Sequence, residues 1–246
     1  ENLKHHKNCK LLQMVKADIS NIHQIKNLFN EVDVVFHLAC SKNTICMENP
    51  SRDLQINASG TLNLLQCSRN AGVKRFVHAS TGSVYGEPML FPTNENHPRN
   101  PVSFYGNSKL AGENYVQLFN KFYGLNTVVL RYFHVYGPRQ DYSEKGGVAS
   151  IFVKRALEDK AITIFGDGTQ LRSFTHVSDI VRINIMSVLD DRMVGNIYNC
   201  ASGIKVSIQE LANYVLEYSN KSIPINYKDW KKGDIKKFDV DNSALL

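Results

Sequence analysis

The chain has 246 residues, 43% of them hydrophobic and 21% charged, with a formal net charge of +6. That is enough apolar material for a sizeable core in one or two domains. The lysines are scattered rather than run together, so the charge does not imply nucleic-acid binding, and no apolar run is long enough to span a membrane. Five cysteines (Cys9, Cys40, Cys46, Cys67, Cys200) contain no Cys-x-x-Cys, a pattern expected of reduced thiols in a cytoplasmic protein. No set of His and Cys has metal-ligand spacing, so no metal is expected.

In chain order, 11–17 reads as a strand and is followed by a helix capped by Ser20, with Ile22, Ile25 and Phe29 on one face. The continuous apolar run 32–39 reads as a strand buried on both faces. A helix is predicted over 51–71, closed by Gly72, then a strand over 74–80. A proline-bearing loop over 82–102 precedes a helix over 104–123 closed by Gly124, and a buried strand over 126–133. Strands alternating with helices imply a Rossmann-like α/β fold, a doubly wound parallel sheet. The second half changes character. It has a helix over 148–158, a short strand over 162–165, a helix over 178–189 capped by Ser178, and a strand over 197–201 returning to the sheet. A capping box at Ser207 and Glu210 opens a last helix to Ser219. The division is placed at 145/146: the parallel sheet over 1–145, and a smaller lid over 146–246 at the carboxyl edge of the sheet, where α/β folds bind ligands.

Tyr105 and Lys109 lie four apart on a predicted helix and so share a face. An ammonium beside a phenol favours the phenolate, which suits a base that removes an alcohol proton. Thr81, at the end of an upstream strand, completes a proton path. The pair alone is weak evidence: 11 tyrosines make chance matches expected, and Tyr227 with Lys231 is one, in a region without matching context. No Gly-x-Gly-x-x-Gly occurs in the chain. Since a dinucleotide sheet opens with strand, glycine loop and helix, the sequence is expected to lack its first strands and glycine loop, and to be poorly soluble when expressed alone.

The ordered blocks Ala17-Asp-Ile19, His37-Leu-Ala39, Asn57-Ala-Ser-Gly-Thr61, Ser80-Thr-Gly-Ser-Val-Tyr-Gly86, Tyr105-x-x-x-Lys109, Arg131 to Gln140, Gly166 to Arg172, Val177-x-Asp179, Tyr198 to Ser202 and Gly233-Asp234 give the chain a specific resemblance. It resembles the extended short-chain dehydrogenases/reductases of the nucleotide-sugar epimerase/dehydratase family, in pattern most like the UDP-hexose 4-epimerases. The resemblance implies an NAD-dependent enzyme acting on a nucleotide-diphosphate sugar, and a homodimer built through helices 51–71 and 104–123. It assigns Thr81, Tyr105 and Lys109 to catalysis. Asp18, Ile19, Leu38, Ala39, Lys42, Asn57 and Phe133, with Tyr105 and Lys109, are assigned to the cofactor. Ser83, His134, Arg172, Lys231 and Asp234 are assigned to the substrate, Arg172 gripping the diphosphate with a bidentate fork. His134 replaces the usual asparagine, and Lys231 stands where an arginine is common.

The reaction expected is inversion at C4 through a 4-keto sugar. The alternative within the family is a 4,6-dehydratase or a decarboxylase. These resemble the present chain except that an acidic residue follows the catalytic threonine, where Gly82 and Ser83 stand here. A non-catalytic nucleotide-sugar-binding fragment is the alternative of another class. The ordinary structural roles are a core position for His37 and His78, a cap for Asp18 and a turn for Gly166 to Gly168.

Overall fold

A computed structural model describes residue 3 and residues 9–41, 46–144, 146–231 and 234–246. Residues 11–17, read as a strand, form none among the described residues: Leu11 lies in a turn closed by the Leu12 amide on the Cys9 carbonyl at 3.0 Å, and Leu11, Met14 and Val15 are exposed. An alternating apolar pattern becomes a strand only where a neighbour offers its backbone groups. The short helix α1 (Ile22–Ile25) is capped by Asn21 rather than Ser20. Asp18 has taken the Ser20 hydroxyl and amide, at 2.7 and 2.9 Å, so Ser20 cannot serve the helix.

β1 (Val34–His37) is shorter than the apolar run and lies at a sheet edge. Val35 packs into the core, but Phe36 on the opposite face is 44% exposed, so the expectation of burial on both faces fails here. The long helix read over 51–71 has three parts. α2 (Pro50–Leu54) is capped by Asn49, a π-helical turn spans Gln55–Gly60, and α3 (Thr61–Ala71) ends at left-handed Gly72. β2 (Arg75–Thr81) runs through the core, and a 3₁₀ turn over Gly82–Tyr85 begins the long loop. α4 (Phe104–Tyr123) has the predicted bounds. The Ser103 hydroxyl accepts from the Gly106 amide at 3.0 Å, and Gly124 closes the helix at φ 67°. β3 (Thr127–Tyr132) and the two-residue β4 (Val135–Tyr136) follow.

In the second half, α5 (Val148–Leu157), β5 (Ile162–Phe165), β6 (Leu171–Ser173) and β7 (Thr175–His176) lead into α6 (Val177–Leu189). That helix is capped by His176, whose Nδ1 accepts from the Ser178 amide; Ser178, the expected cap, lies within the first turn. β8 (Ile197–Cys200), β9 (Lys205–Ser207), α7 (Ile208–Ser219) and β10 (Ile225–Lys228) complete the order. The capping box at Ser207 and Glu210 is present.

The main sheet has the order β1-β2-β3-β8, all parallel, with β8 rejoining it from the second half. Parallel strands require crossovers, and their side chains divide between two covered faces. On one face Phe76 and Val129 pack with Leu65, Val116 and Phe119 of α3 and α4. On the other Val77, Val128 and Leu130 pack with Ile180 of α6. A separate cluster holds the smaller unit together, with Phe152, Ile162, Ile164, Ile208 and Ala212 at its centre. The carboxyl end of the sheet and this smaller unit face each other across a groove, where open α/β folds bind ligands.

Candidate active site

β2 ends at Thr81, and α4 lays Tyr105, Lys109 and Glu113 along its inner face at intervals of four residues. The Tyr105 phenol lies beside the Thr81 side chain. Lys109 is 2% exposed, and its ammonium donates to the Ala79 carbonyl at 2.6 Å. Burial lowers Lys109 to about 8, against the opposing pull of Cys40 and Glu113. The sequence places the tyrosine nearer neutrality. In the folded chain, burial instead pushes the Tyr105 phenol well above its ordinary value, reinforced by Cys40, and the adjacent Thr81 side chain opposes this only in part. A lysine on the same helix face does not by itself make a phenolate; the desolvation of the phenol is larger.

Thr81 Oγ1 accepts from the Ser83 amide at 3.2 Å and lies 3.3 Å from Ser83 Oγ. Thr81, Ser83, Phe133, His134, Arg172 and Asp234 together line a pit of about 250 Å³. The pit meets a groove of about 1050 Å³ at Ser103, His134, Arg172 and Asp234, and Lys231 lines the outer part of that groove. Arg172 is buried, with one guanidinium nitrogen on Asp234 at 2.8 Å and another on the Leu171 carbonyl at 2.9 Å. The Lys231 ammonium stands 4.0 Å from the centre of the Phe165 ring.

His134 adopts φ 32°, in the left-handed region where asparagine is the favoured residue among non-glycines. Its ring packs between Phe174 and Phe238, its Nδ1 has no partner among the described residues, and burial lowers it to about 3. It is therefore a neutral ring at neutral pH. Gly82 has no room for a side chain, since a Cβ would fall 2.2 Å from a ring carbon of Phe133.

Other expected residues lie apart from the pit. Asp18 pairs with Arg52 at 2.5 Å, and that guanidinium holds its carboxyl down at about 2. The Ile19 carbonyl accepts from Asn63, and Leu38 and Ala39 lie exposed just beyond β1. Asn57 is fully buried; its carbonyl oxygen accepts from the Ser41 amide at 2.8 Å, and its nitrogen donates to Asp53 and Ser108. Asn57 thereby shapes the turn after β1 rather than presenting a free group. Lys42 and Gly233 lie outside the described residues. Tyr227 sits in β10, so the second Tyr-x-x-x-Lys is not helical.

Two residues escaped the sequence reading. Ser103 lines both cavities as well as capping α4. Glu113, on the face shared by Tyr105 and Lys109, is wholly buried and binds Ser80 and Arg131. Its four-residue spacing from Lys109 is the signal that marks it. Ser80, which borders Thr81, points to Glu113 and not into the pit.

A parallel sheet ending in a threonine, beside a helix carrying Tyr-x-x-x-Lys over a substrate-sized groove, defines a Rossmann-like enzyme of the short-chain dehydrogenase/reductase type. Residues 1–201 match the model of the NAD dependent epimerase/dehydratase family, and the chain belongs to that family. It is 40% identical over 206 residues to a putative UDP-glucose 4-epimerase of Methanocaldococcus jannaschii, an alignment covering 82% of this chain and 67% of that protein. Among solved structures it is similar to the Thermotoga maritima UDP-glucose 4-epimerase with UDP-glucose, at TM-score 0.90 and 34% identity, covering 94% of this chain and 75% of that one. The Thermus thermophilus UDP-glucose 4-epimerase in complex with NAD matches at TM-score 0.89 and 31% identity, over 96% and 78% of the two chains.

Proposed function

We propose that this chain, joined to a glycine-rich loop that holds the cofactor diphosphate, catalyses NAD-dependent inversion at C4 of a nucleoside-diphosphate hexose, a UDP-sugar, through a 4-keto sugar. One observation carries the reading: Thr81, beside the Tyr105 phenol at the end of β2, lines a sugar-sized pit that opens, past Arg172, onto a nucleotide-sized groove. The residues fit the ribose end of NAD. Lys109 has N–H donors beyond the one given to Ala79, and the Ser41 hydroxyl is buried without a partner among the described residues. No glycine-rich loop for the cofactor diphosphate occurs in these 246 residues.

NAD, held at its ribose end by Lys109, would supply the hydride acceptor and donor that C4 inversion needs. Tyr105 Oη removes the 4-hydroxyl proton and later gives it back, with Thr81 Oγ1 aligning the reacting oxygen. Lys109 orients the ribose and keeps a positive charge near the phenol. Arg172 holds the diphosphate at the junction of pit and groove, releasing part of its hold on Asp234. Ser83 and neutral His134 line the sugar site, and Lys231 adds charge at the groove wall. Asp18 and Ile19, and the backbone at Leu38 and Ala39, face the adenosine side, while Phe133 walls the pit. Dehydration or decarboxylation needs a further acid or base. Gly82 can carry none beside Phe133, and Ser83 offers only a hydroxyl.

The division at 145/146 separates cofactor and substrate parts in this reading. The faces of the helices over 51–71 and 104–123 that expose Leu54, Leu118 and Phe122 form a homodimer contact, and the free cysteines suit the cytoplasm. Proton NMR of UDP-glucose incubated with the protein and NAD tests the reaction. UDP-galactose appearing without loss of water or carbon dioxide is expected; a 4-keto-6-deoxy product or no turnover contradicts it. Sedimentation velocity tests the dimer.

A further inference from the structure

Glu113 is buried to 0% exposure, as is its partner Arg131. Arg131 faces Ser80 directly across the β2–β3 ladder, and the Glu113 carboxylate sits over both. Oε2 accepts from the Ser80 hydroxyl at 2.8 Å and from Arg131 Nε at 3.1 Å, and Oε1 accepts from Arg131 Nη2. Arg131 is itself anchored, Nη1 donating to the Tyr85 hydroxyl at 2.5 Å and the Glu95 carbonyl at 3.1 Å. With the contacts at Ala79 and Thr81, α4 is tied to three consecutive positions at the end of β2. Apolar packing between a helix and a sheet is tolerant of small slides, whereas a bidentate carboxylate–guanidinium pair is not. A buried ion pair is poor evidence of added stability, because apolar residues of similar volume do as well; its best-attested use is to fix register.

We propose that Glu113 is a positioning residue which, through Arg131 and Ser80, sets the register of α4 against β2 and so holds Tyr105 and Lys109 against Thr81. The proposal rests on the reading of Tyr105 as the base. A misplacement of about 1 Å between reacting groups costs on the order of a hundredfold in rate, less than one residue's rise of α-helix.

The test separates positioning from stability. The double variant Glu113→Leu/Arg131→Met removes both buried charges, and Arg99, whose Nη1 lies 3.3 Å from Glu113 Oε1, is exposed enough to turn to water, so the melting temperature is expected within about 5 °C of the parent. Its kcat is expected to fall about 10- to 100-fold with KM for the nucleotide sugar unchanged. In the same protein the titration of Lys109, followed by 13Cε-lysine NMR, is expected to move up from about 8 as water reaches a loosened ammonium. Recovery of both melting temperature and kcat, with the Lys109 midpoint in place, overturns the proposal. Should the double variant not fold, Ser80→Ala, which keeps the ion pair, is expected to lower kcat severalfold and move the Lys109 midpoint the same way; no change in either overturns it. Absence of turnover in the parent defeats the functional reading alone, and the Lys109 midpoint still decides the register.

Discussion

His37 and His78 sit side by side on β1 and β2, their ring centres 5.0 Å apart. His37 Nε2 contacts Thr61 Oγ1 at 2.9 Å, while both nitrogens of His78 lack partners among the described residues. Burial holds His37 down at about 3 and His78 well below its ordinary value, and the nearby Lys109 charge adds to both shifts. Above pH about 6.5 these rings are neutral in the folded and unfolded chain alike. Below it the unfolded chain takes up protons that the folded one refuses until about 3, so stability falls as pH falls through that window. For His37 the linkage amounts to about 2 kcal/mol at pH 5, and His78 contributes a similar amount. At about 0.5 kcal/mol per degree for a chain of this length, the pair lowers the melting temperature by about 8 °C between pH 8 and pH 5. His78→Phe removes one ring without orphaning a partner. Melts followed by circular dichroism are expected to show the variant losing about 4 °C less than the parent over that range; carboxylate effects cancel in the comparison. An identical acid loss in both proteins refutes the reasoning.

Other perturbations follow from the site. Arg172→Ala removes charge-assisted bonds to the diphosphate and is expected to weaken UDP binding about 10- to 100-fold by calorimetry, with NAD affinity unchanged. An unchanged UDP dissociation constant contradicts the role. Gly82→Asp drives a side chain into Phe133 and is expected to cost about 1–3 kcal/mol, a fall of about 2–6 °C, without gain of 4,6-dehydration. A stable Gly82→Asp protein releasing a 4-keto-6-deoxy sugar contradicts the steric argument.

The legible parts of this chain are those decided locally. α4 has the bounds its sequence predicts because Ser103 caps it and left-handed Gly124 ends it, and the Ser207–Glu210 box fixes the start of α7 equally well. The failures share a cause: the deciding partner is distant or in competition. The alternation over 11–17 promises a strand, but pairing depends on a neighbour. Ser20 looks like a cap until Asp18 and Arg52 are seen to claim it. The Tyr105–Lys109 spacing is local, whereas the phenol's acidity is set by its burial in the folded chain. Glu113 is visible as a spacing, but Arg131 reaches it only because β3 aligns beside β2. The histidine at 134 gains meaning from a left-handed backbone that no residue pattern announces.

The central claim is that Tyr105 moves the C4 hydroxyl proton. Steady-state epimerisation of UDP-glucose by Tyr105→Phe, alongside calorimetric titration with UDP, tests it most directly. Removing only the proton acceptor is expected to lower kcat by about 10²–10⁴-fold while the UDP dissociation constant stays within about threefold of the parent. A Tyr105→Phe protein that inverts C4 at close to the parent rate contradicts the account.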